Sequence, residues 1–587
     1  MIRRCVEVAL AAIVSACAPA LAQPSLPAGH YAGTWTNTTF SSSGAIRADG
    51  VIVASTLTMT IDADGGVFGL PDPPPFTLSG PITAGGWSAA LTGHAVFGDL
   101  SVSVNAAGQV TINGSNPPSG FITTYTATGT FTPSGQINLA GHIEFVLGVP
   151  ADTTIVCNRT AYSTAVSPSQ IAQGQAGFSV AGSPDLNGDA RGDIIVGAPL
   201  ETHATIAMAG RVHVFNGVGG APFRTIGSPA PESAGRFGWS VSSIPDTNGD
   251  GKADLLVGAP NENPATSPFD CGRAYIYSGA NGSLLFKLIP PAGEATGLFG
   301  YSVAGVADVN GDGRGDAIVG APREDPGTLP ADAGRVHVYS GATGLRLYTL
   351  GVPVSVGPAA NDYFGWSVGG VPDANGDARG DIIVGMPQGT GVPTGNPGRA
   401  FLYSGSNGAM LRAFSSPGAE ADGLFGRSVA GVPDTNGDAR GDVVIGAPNE
   451  DPGTAPDGTG RAHLFSGATG ALLFKLLPPT PTAGGNFGMA VAGMTDTNGD
   501  GRGDIVVGAP GEGSADQGRA YIYSGATGLR LVTLASRYPE ASGAFGASVS
   551  GLPNVNAANL ADVAVGAPGE DPGTAPLNAG RAYWFRR

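Results

Sequence analysis

Cysteine is scarce, with four residues in 587. Cys5 and Cys17 fall in an N-terminal stretch expected to be a leader, which leaves Cys157 and Cys271 and excludes a disulfide-framework fold. Export permits a bond between these two, but the expected topology sets them on opposite faces, and their pairing is open. Charge is also sparse, and only 29 residues are Lys or Arg against 46 Asp or Glu. No basic stripe or aromatic-basic platform occurs, which excludes a nucleic-acid partner. No apolar run beyond the leader is long enough to span a membrane, and from residue 160 onward no 3.6-residue period marks a helix. Motifs of catalysis are missing as well: no His-Glu-x-x-His pattern, nucleophile elbow, P-loop or dinucleotide fingerprint stands in a fitting context. The seven histidines, His30, His94, His142, His203, His213, His337 and His463, form no zinc spacing. His213, His337 and His463 hold equivalent places in a repeated strand, which points to packing. The expectation is a chain that is not an enzyme.

What the chain has is repetition. A nine-residue acidic pattern with Asp at positions 1, 5 and 9, Asn at 3 and a basic residue at 7 occurs six times. The copies start at Asp185, Asp246, Asp308, Asp373, Asp434 and Asp496, and a damaged seventh starts at Asn554. Successive starts lie 61, 62, 65, 61, 62 and 58 residues apart. Such a period means one supersecondary unit repeated.

The oxygen spacing suits a hard cation, and calcium takes about 6 to 8 oxygens in flexible geometry. The expected ligands in the first copy are Asp185, Asn187, Asp189 and Asp193, with the backbone carbonyl of Arg191. The second offers Asp246, Asn248, Asp250, Lys252 (carbonyl) and Asp254. The third has Asp308, Asn310, Asp312, Arg314 (carbonyl) and Asp316, and the fourth Asp373, Asn375, Asp377, Arg379 (carbonyl) and Asp381. Asp434, Asn436, Asp438, Arg440 (carbonyl) and Asp442 make the fifth, and Asp496, Asn498, Asp500, Arg502 (carbonyl) and Asp504 the sixth. The basic side chain is a cation and cannot be a ligand. The damaged copy, with Asn554, Asn556, Ala558 and Asp562, is expected to bind nothing. The net charge supports the reading: the six loops hold 18 of the 46 acidic residues, and six divalent ions would bring −17 to −5. Five Arg-Gly-Asp tripeptides, at Arg191, Arg314, Arg379, Arg440 and Arg502, are loop positions 7 to 9. Their Asp is committed to the ion, so they are not expected to serve as adhesive motifs.

Each repeat carries four short β-rich runs separated by Gly, Pro, Asn and Asp. In the second these are residues 237–243, 254–260, 272–279 and 284–288. Seven four-stranded units fit a closed β-propeller, because radial closure leaves few exposed edges. The last repeat ends before its fourth strand, and residues 161–166 stand where that strand is needed. Phe-Gly pairs open the repeats at Phe237, Phe299, Phe364, Phe425, Phe487 and Phe545. Gly-Ala-Pro closes the second run at Pro199, Pro260, Pro322, Pro448, Pro510 and Pro568. Repeat one has Ala176-Gly177 in place of Phe-Gly, and repeat four reads Gly385-Met386-Pro387. Together with the acidic loops these signatures resemble FG-GAP repeats, the propeller repeats of integrin α subunits, over residues 160–587. The resemblance implies a seven-bladed propeller with calcium between strands one and two; it supplies no ligand. Some FG-GAP propellers are appended to hydrolases, so an accessory role beside an unrecognised hydrolase site is an alternative.

Three segments are expected: a leader at 1–22, an all-β domain at 23–158 and the propeller at 159–587. Arg3, Arg4, an apolar stretch and the small residues before Gln23 mark a cleavable leader. Residues 14–17 also resemble a bacterial lipobox, which would put a lipid anchor on Cys17. The chain is expected to be secreted or on the cell surface of a bacterium. Alternating runs such as 55–62 and 100–105 make the second segment a small antiparallel sandwich or barrel of eight to ten strands. The function expected is a calcium-bound adhesion or protein-interaction scaffold, with carbohydrate binding on the face opposite the acidic loops as the alternative. The partner is an extracellular protein or a glycan. Phe178, Trp239, Tyr301 and Trp366, equivalent in four repeats, are read as packing between blades or as a sugar-stacking platform. Runs of Glu-Asp-Pro-Gly-Thr from Glu324, Glu450 and Glu570 are read as turn chemistry.

Overall fold

The computed structural model describes ten strands between residues 30 and 166. From residue 173 it describes the chain except for 218–219, 264–268, 292, 326, 328–329, 389–396, 452–456, 514, 537, 554–560, 572–577 and 587. The expected leader, with Cys17, and most of the damaged seventh loop lie outside the described residues. Among those described, every named element is a strand. Contacts divide the chain into Met1–Tyr162 and Ser163–Arg587. In the first unit the ten strands pair antiparallel in chain order. The first, His30–Asn37, also pairs with the last, Ala151–Val166, from His30 opposite Thr160 to Asn37 opposite Thr153, so the sheet returns on itself.

The second unit contains six four-stranded antiparallel sheets in simple chain order. Blade one, for example, is Ser179–Ser183, Asp193–Ala198, Arg211–Asn216 and Pro222–Gly227. The seventh has three strands of its own, Ser548–Leu552, Asp562–Ala567 and Arg581–Arg586. Its fourth place, beside Arg581–Arg586, is taken by the strand Ala151–Val166, whose residues from 163 on belong to this unit. The first strand of each blade neighbours the first strand of the next, and that of blade seven neighbours blade one. The second unit is therefore a closed seven-bladed β-propeller.

The core lies between blades. The second strand of every blade is buried along its whole length, as the apolar run after its opening Asp requires. One cluster joins Ile195, Val212 and Val214 of blade one to Phe237, Leu255 and Tyr275 of blade two; another joins Val180, Ile194 and Phe215 to Leu552 and Trp584 of blade seven. The Phe of each Phe-Gly pair is buried and meets a strand-three ring nearly edge-on. Phe237 lies 6.0 Å from Tyr277 at 89°, and Phe425 6.2 Å from Phe465 at 86°.

The glycines of the two signatures interlock. Gly300 of one Phe-Gly pair presents its carbonyl to the preceding blade, where Ser240 Oγ donates to it at 2.9 Å. A Cβ on Gly258, of the preceding Gly-Ala-Pro, would stand 2.0 Å from that oxygen, so only glycine fits. The clasp recurs as Ser179 to Gly238, Ser302 to Gly365, Ser367 to Gly426 and Ser428 to Gly488. Ser548 to Gly177, at 2.9 Å, is the same bond across the closing seam. Blade four keeps the essential glycine: Gly385 stands equally close to the Gly426 carbonyl, and only the neighbouring alanine has become Met386.

Candidate functional site

The six acidic loops each join strand one to strand two, on one face of the ring. Asp-x-Asn-Gly favours this path because the side chains of Asp and Asn accept bonds from nearby backbone N–H groups. Asp185 Oδ1 accepts from Gly188 N at 2.6 Å, and Oδ2 from Ala190 N at 2.8 Å. Asn187 Oδ1 accepts from Asp189 N, and Asp189 Oδ1 from Arg191 N, both at 2.9 Å. Positions 4 and 6 are left-handed, Gly188 at φ 92° and Ala190 at 62°. That conformation explains why both positions carry Gly or the smallest side chain.

The position-9 Asp is wholly buried in every blade. It clamps two segments: Asp254 Oδ2 accepts from Thr247 N and Oδ1 from Gly279 N, both at 2.9 Å. Gly279 opens the turn between strands three and four, so the clamp ties the loop to its own blade. Burial pushes Asp193, Asp316 and Asp381 up to about 6 against their backbone donors, and also raises Asp254, Asp442 and Asp504. At position 1, burial opposes the charge of Asp185, Asp246, Asp308, Asp434 and Asp496, but backbone donors outweigh it and leave all five below the ordinary value.

Position 7 acts between blades. Lys252 Nζ lies 3.1 Å from Asp185, and Arg314 Nη1 3.0 Å from Asp246. Arg379 pairs with Asp308 at 2.8 Å, Arg440 with Asp373 at 2.9 Å and Arg502 with Asp434 at 2.8 Å. Each basic side chain thus reaches the first Asp of the preceding loop. The four arginines also lie over that loop's position-4 glycine, where a Cβ on Gly376 would meet Arg440 Nη2 at 2.6 Å. The tripeptide Arg-Gly-Asp is used internally here: its Asp is buried in all five copies, and its Arg is paired across blades in the four at Arg314, Arg379, Arg440 and Arg502.

Among the described residues, no group of three or more His, Cys, Asp or Glu is gathered as a metal site. The loop oxygens instead take backbone donors and the neighbouring cation. The donor chemistry nonetheless fits a hard cation: the side-chain donors are all oxygens, and an ionised carboxylate has about four lone-pair sites, more than the bonds present use. Burial draws the position-9 carboxylates toward neutrality, and a divalent ion would supply the positive charge that keeps them ionised.

On the opposite face the structure corrects one expectation. Glu324, Glu450 and Glu570 are not merely turn residues. They and Glu201, Glu262 and Glu512 follow the Pro of Gly-Ala-Pro by two, and all six are buried. Each bonds the middle of strand three: His213 Nε2 to Glu201 at 3.1 Å, His337 to Glu324 at 2.7 Å, His463 to Glu450 at 3.0 Å. In the other three blades the partner is the hydroxyl of Tyr275, Tyr521 or Tyr583. Blade four has lost both members together: Gly389 is the residue that follows its Pro by two, and a buried Phe401 stands in strand three. The signal was present in the sequence as covariation among repeats. The Asp after Glu324, Glu450 and Glu570 is also engaged: Asp325 N donates to Glu294 and Asp325 Oδ1 accepts from Asp332 N, fixing the loop between strands two and three. Cys271 on this face is a free, buried thiol; the side chain of Cys157 lies outside the described residues. Phe178, Trp239, Tyr301 and Trp366 are half-buried and touch in sequence from blade to blade, with centroids 4.4, 5.6 and 4.8 Å apart.

Fold and loops together define a closed seven-bladed propeller with acidic inter-strand loops on one face. The model of the FG-GAP repeat matches residues 176–215, 237–277, 299–339, 425–465 and 487–523, five of the seven blades. Integrin alpha-7 of Mus musculus is 32% identical over 224 residues, covering 35% of this chain and 18% of its own length. Integrin alpha-3 of Mus musculus is 37% identical over 147 residues, 23% of this chain and 13% of the relative. Integrin alpha-8 of Gallus gallus is 29% identical over 291 residues, 46% and 26%. The protein carries FG-GAP repeats, and its propeller is distantly homologous to integrin alpha. The matched segment spans about a quarter or less of these relatives' length. The comparisons give no support to the expectation of a bacterial source. Among the described residues no helix is long and apolar enough to cross a membrane.

Proposed function

We propose that the chain is an exported, non-catalytic interaction scaffold whose propeller is braced by calcium in six loops, and that residues 23–158 form a separate antiparallel β domain. The observation that carries the reading is the chain of loop-to-loop ion pairs: five consecutive loops each hold the first Asp of the loop before. A cation in each loop would be held by the position 1, 3, 5 and 9 oxygens and the position-7 carbonyl. It would supply the charge that lets the buried Asp stay ionised. The chain's own residues set the register: position 7 ties its blade to the preceding one, and position 9 fixes the loop to the turn between strands three and four. A rigid ring carrying variable loops on its other face is the usual setting for recognition. Partners would be extracellular proteins.

The test is metal content and melting. Elemental analysis should find about six calcium ions per chain, and a chelator should lower the midpoint, because binding to the native state alone stabilises by mass action. Absence of bound calcium with an unchanged midpoint rejects the reading.

A further inference from the structure

The mouth of the ring opposite the acidic loops is built from the residue that follows each Phe-Gly pair. In chain order these are Phe178, Trp239, Tyr301, Trp366, Arg427, Met489 and Ala547. Four aromatic rings therefore run around half the mouth and meet an arginine. A guanidinium lies over each tryptophan: Arg236 Cζ is 5.1 Å from the Trp239 ring, and Arg427 Cζ is 5.0 Å from the Trp366 ring. Arg323 lies 5.7 Å from the ring of Tyr363, which itself packs 5.7 Å from Trp366.

Among the described residues no ion pair joins Arg236, Arg323 or Arg427 to an Asp or Glu, and Asp332 feels the charge of Arg323. Arg236 Nε and Trp366 Nε1 are buried without a hydrogen-bond partner. Tyr301, between the two tryptophans, feels three arginines and no carboxylate, and burial holds the Arg427 guanidinium below its ordinary value. Partial burial of an unpaired guanidinium is costly. Placing three together, in a chain of net charge −17, makes the mouth a local exception to its electrostatics.

We propose that this mouth binds the carboxylate side chain of an acidic peptide segment, a reading that rests on the interaction-scaffold function above. Guanidinium groups held flat on aromatic rings keep their N–H edges free, and those edges match a carboxylate. The indole N–H of Trp366 adds a donor. Sugar stacking is disfavoured because it needs open ring faces, and the arginines cover one face of each tryptophan while neighbouring rings pack against the others.

Calorimetry on the full chain at low salt, with hexaglutamate, hexalysine and an oligogalacturonate as probes, tests the proposal. Hexaglutamate should bind and hexalysine should not. Arg236→Gln and Arg427→Gln should each weaken hexaglutamate by about tenfold or more, the scale of one charge-assisted contact. Arg346→Gln, on an outer strand, should leave binding unchanged, and Arg427→Lys should fall between. Melting points of the variants identify any that are misfolded. If Arg427→Gln fails to fold, Arg236→Gln and Arg427→Lys carry the decision. No binding of hexaglutamate, equal binding by the glutamine variants, or binding of the uronate in its place would each overturn the proposal. Absence of hexaglutamate binding by the parent chain, with calcium bracing retained, defeats this inference and leaves the scaffold function standing.

Discussion

Removing the His463 ring would take away the 3.0 Å partner of the buried Glu450 carboxylate and leave it only the longer bond from Arg461, at 3.5 Å. His463→Phe should cost about 1–3 kcal/mol in chemical denaturation, the usual penalty for an unsatisfied buried polar group. Adding Glu450→Gln removes the buried charge that has lost its imidazole and should recover part of that loss; a double variant no better than the single would contradict the pairing. A second test uses pH. Burial pushes Glu512 and Glu570 up to about 7. An unfolded glutamate titrates near about 4.3, so the folded state holds extra protons between these values. Stability should therefore fall as pH rises through that window. The melting temperature should drop between about pH 5 and pH 7, less steeply in Glu512→Gln, and identical slopes would refute the assignment. Three of the six glutamates, Glu324, Glu450 and Glu570, read in the sequence as members of turns. Their burial depends on strand three of the same blade, a contact that local turn chemistry does not reveal.

At the scale of elements, the acidic loop was read almost completely from its spacing. Its oxygen positions, its place between strands one and two and the small residue at position 6 follow from local chemistry. The role of position 7 was not legible, because its partner Asp stands 67 to 71 residues away in all five loops where the bond is formed. Spacing within one repeat says nothing about contact with the next. The ion pairs are about one-third exposed, so Arg440→Gln alone should cost no more than about 1 kcal/mol. Asp442→Ala should cost considerably more, because it frees the Thr435 and Gly467 N–H groups that the carboxylate holds. Equilibrium unfolding of the two variants should give that order; the reverse order would mean that the inter-blade pair, rather than the buried clamp, holds the loop. The Phe of the Phe-Gly pair belongs to this scale too: Phe425→Ala should cost about 3–5 kcal/mol, as for other large-to-small changes in a packed core.

At the scale of the whole molecule, the number of blades followed from the period, and closure followed from a missing last strand. The described strands before residue 163 were less legible, since alternating polarity marks antiparallel strands but not the order in which they pair. The seam can be tested directly. Thr164→Pro and Ala165→Pro lie in the strand beside Arg581–Arg586. Successive N–H groups point to opposite sides, so at least one of the two prolines removes a bond to blade seven. At least one variant should melt clearly below the parent protein; two unchanged melts would show that the seam does not hold the ring. The seam also dictates an order of events in synthesis. The strand that completes blade seven is made before all seven sheets, and its neighbour, Arg581–Arg586, is made after the other six are complete. A growing chain can finish six sheets early, yet it must keep one strand waiting across more than 400 residues before the circle can shut. Any chain released short of that last strand carries two unpaired sheet edges, so premature termination near the end should yield an adhesive, aggregation-prone product rather than a slightly shorter propeller.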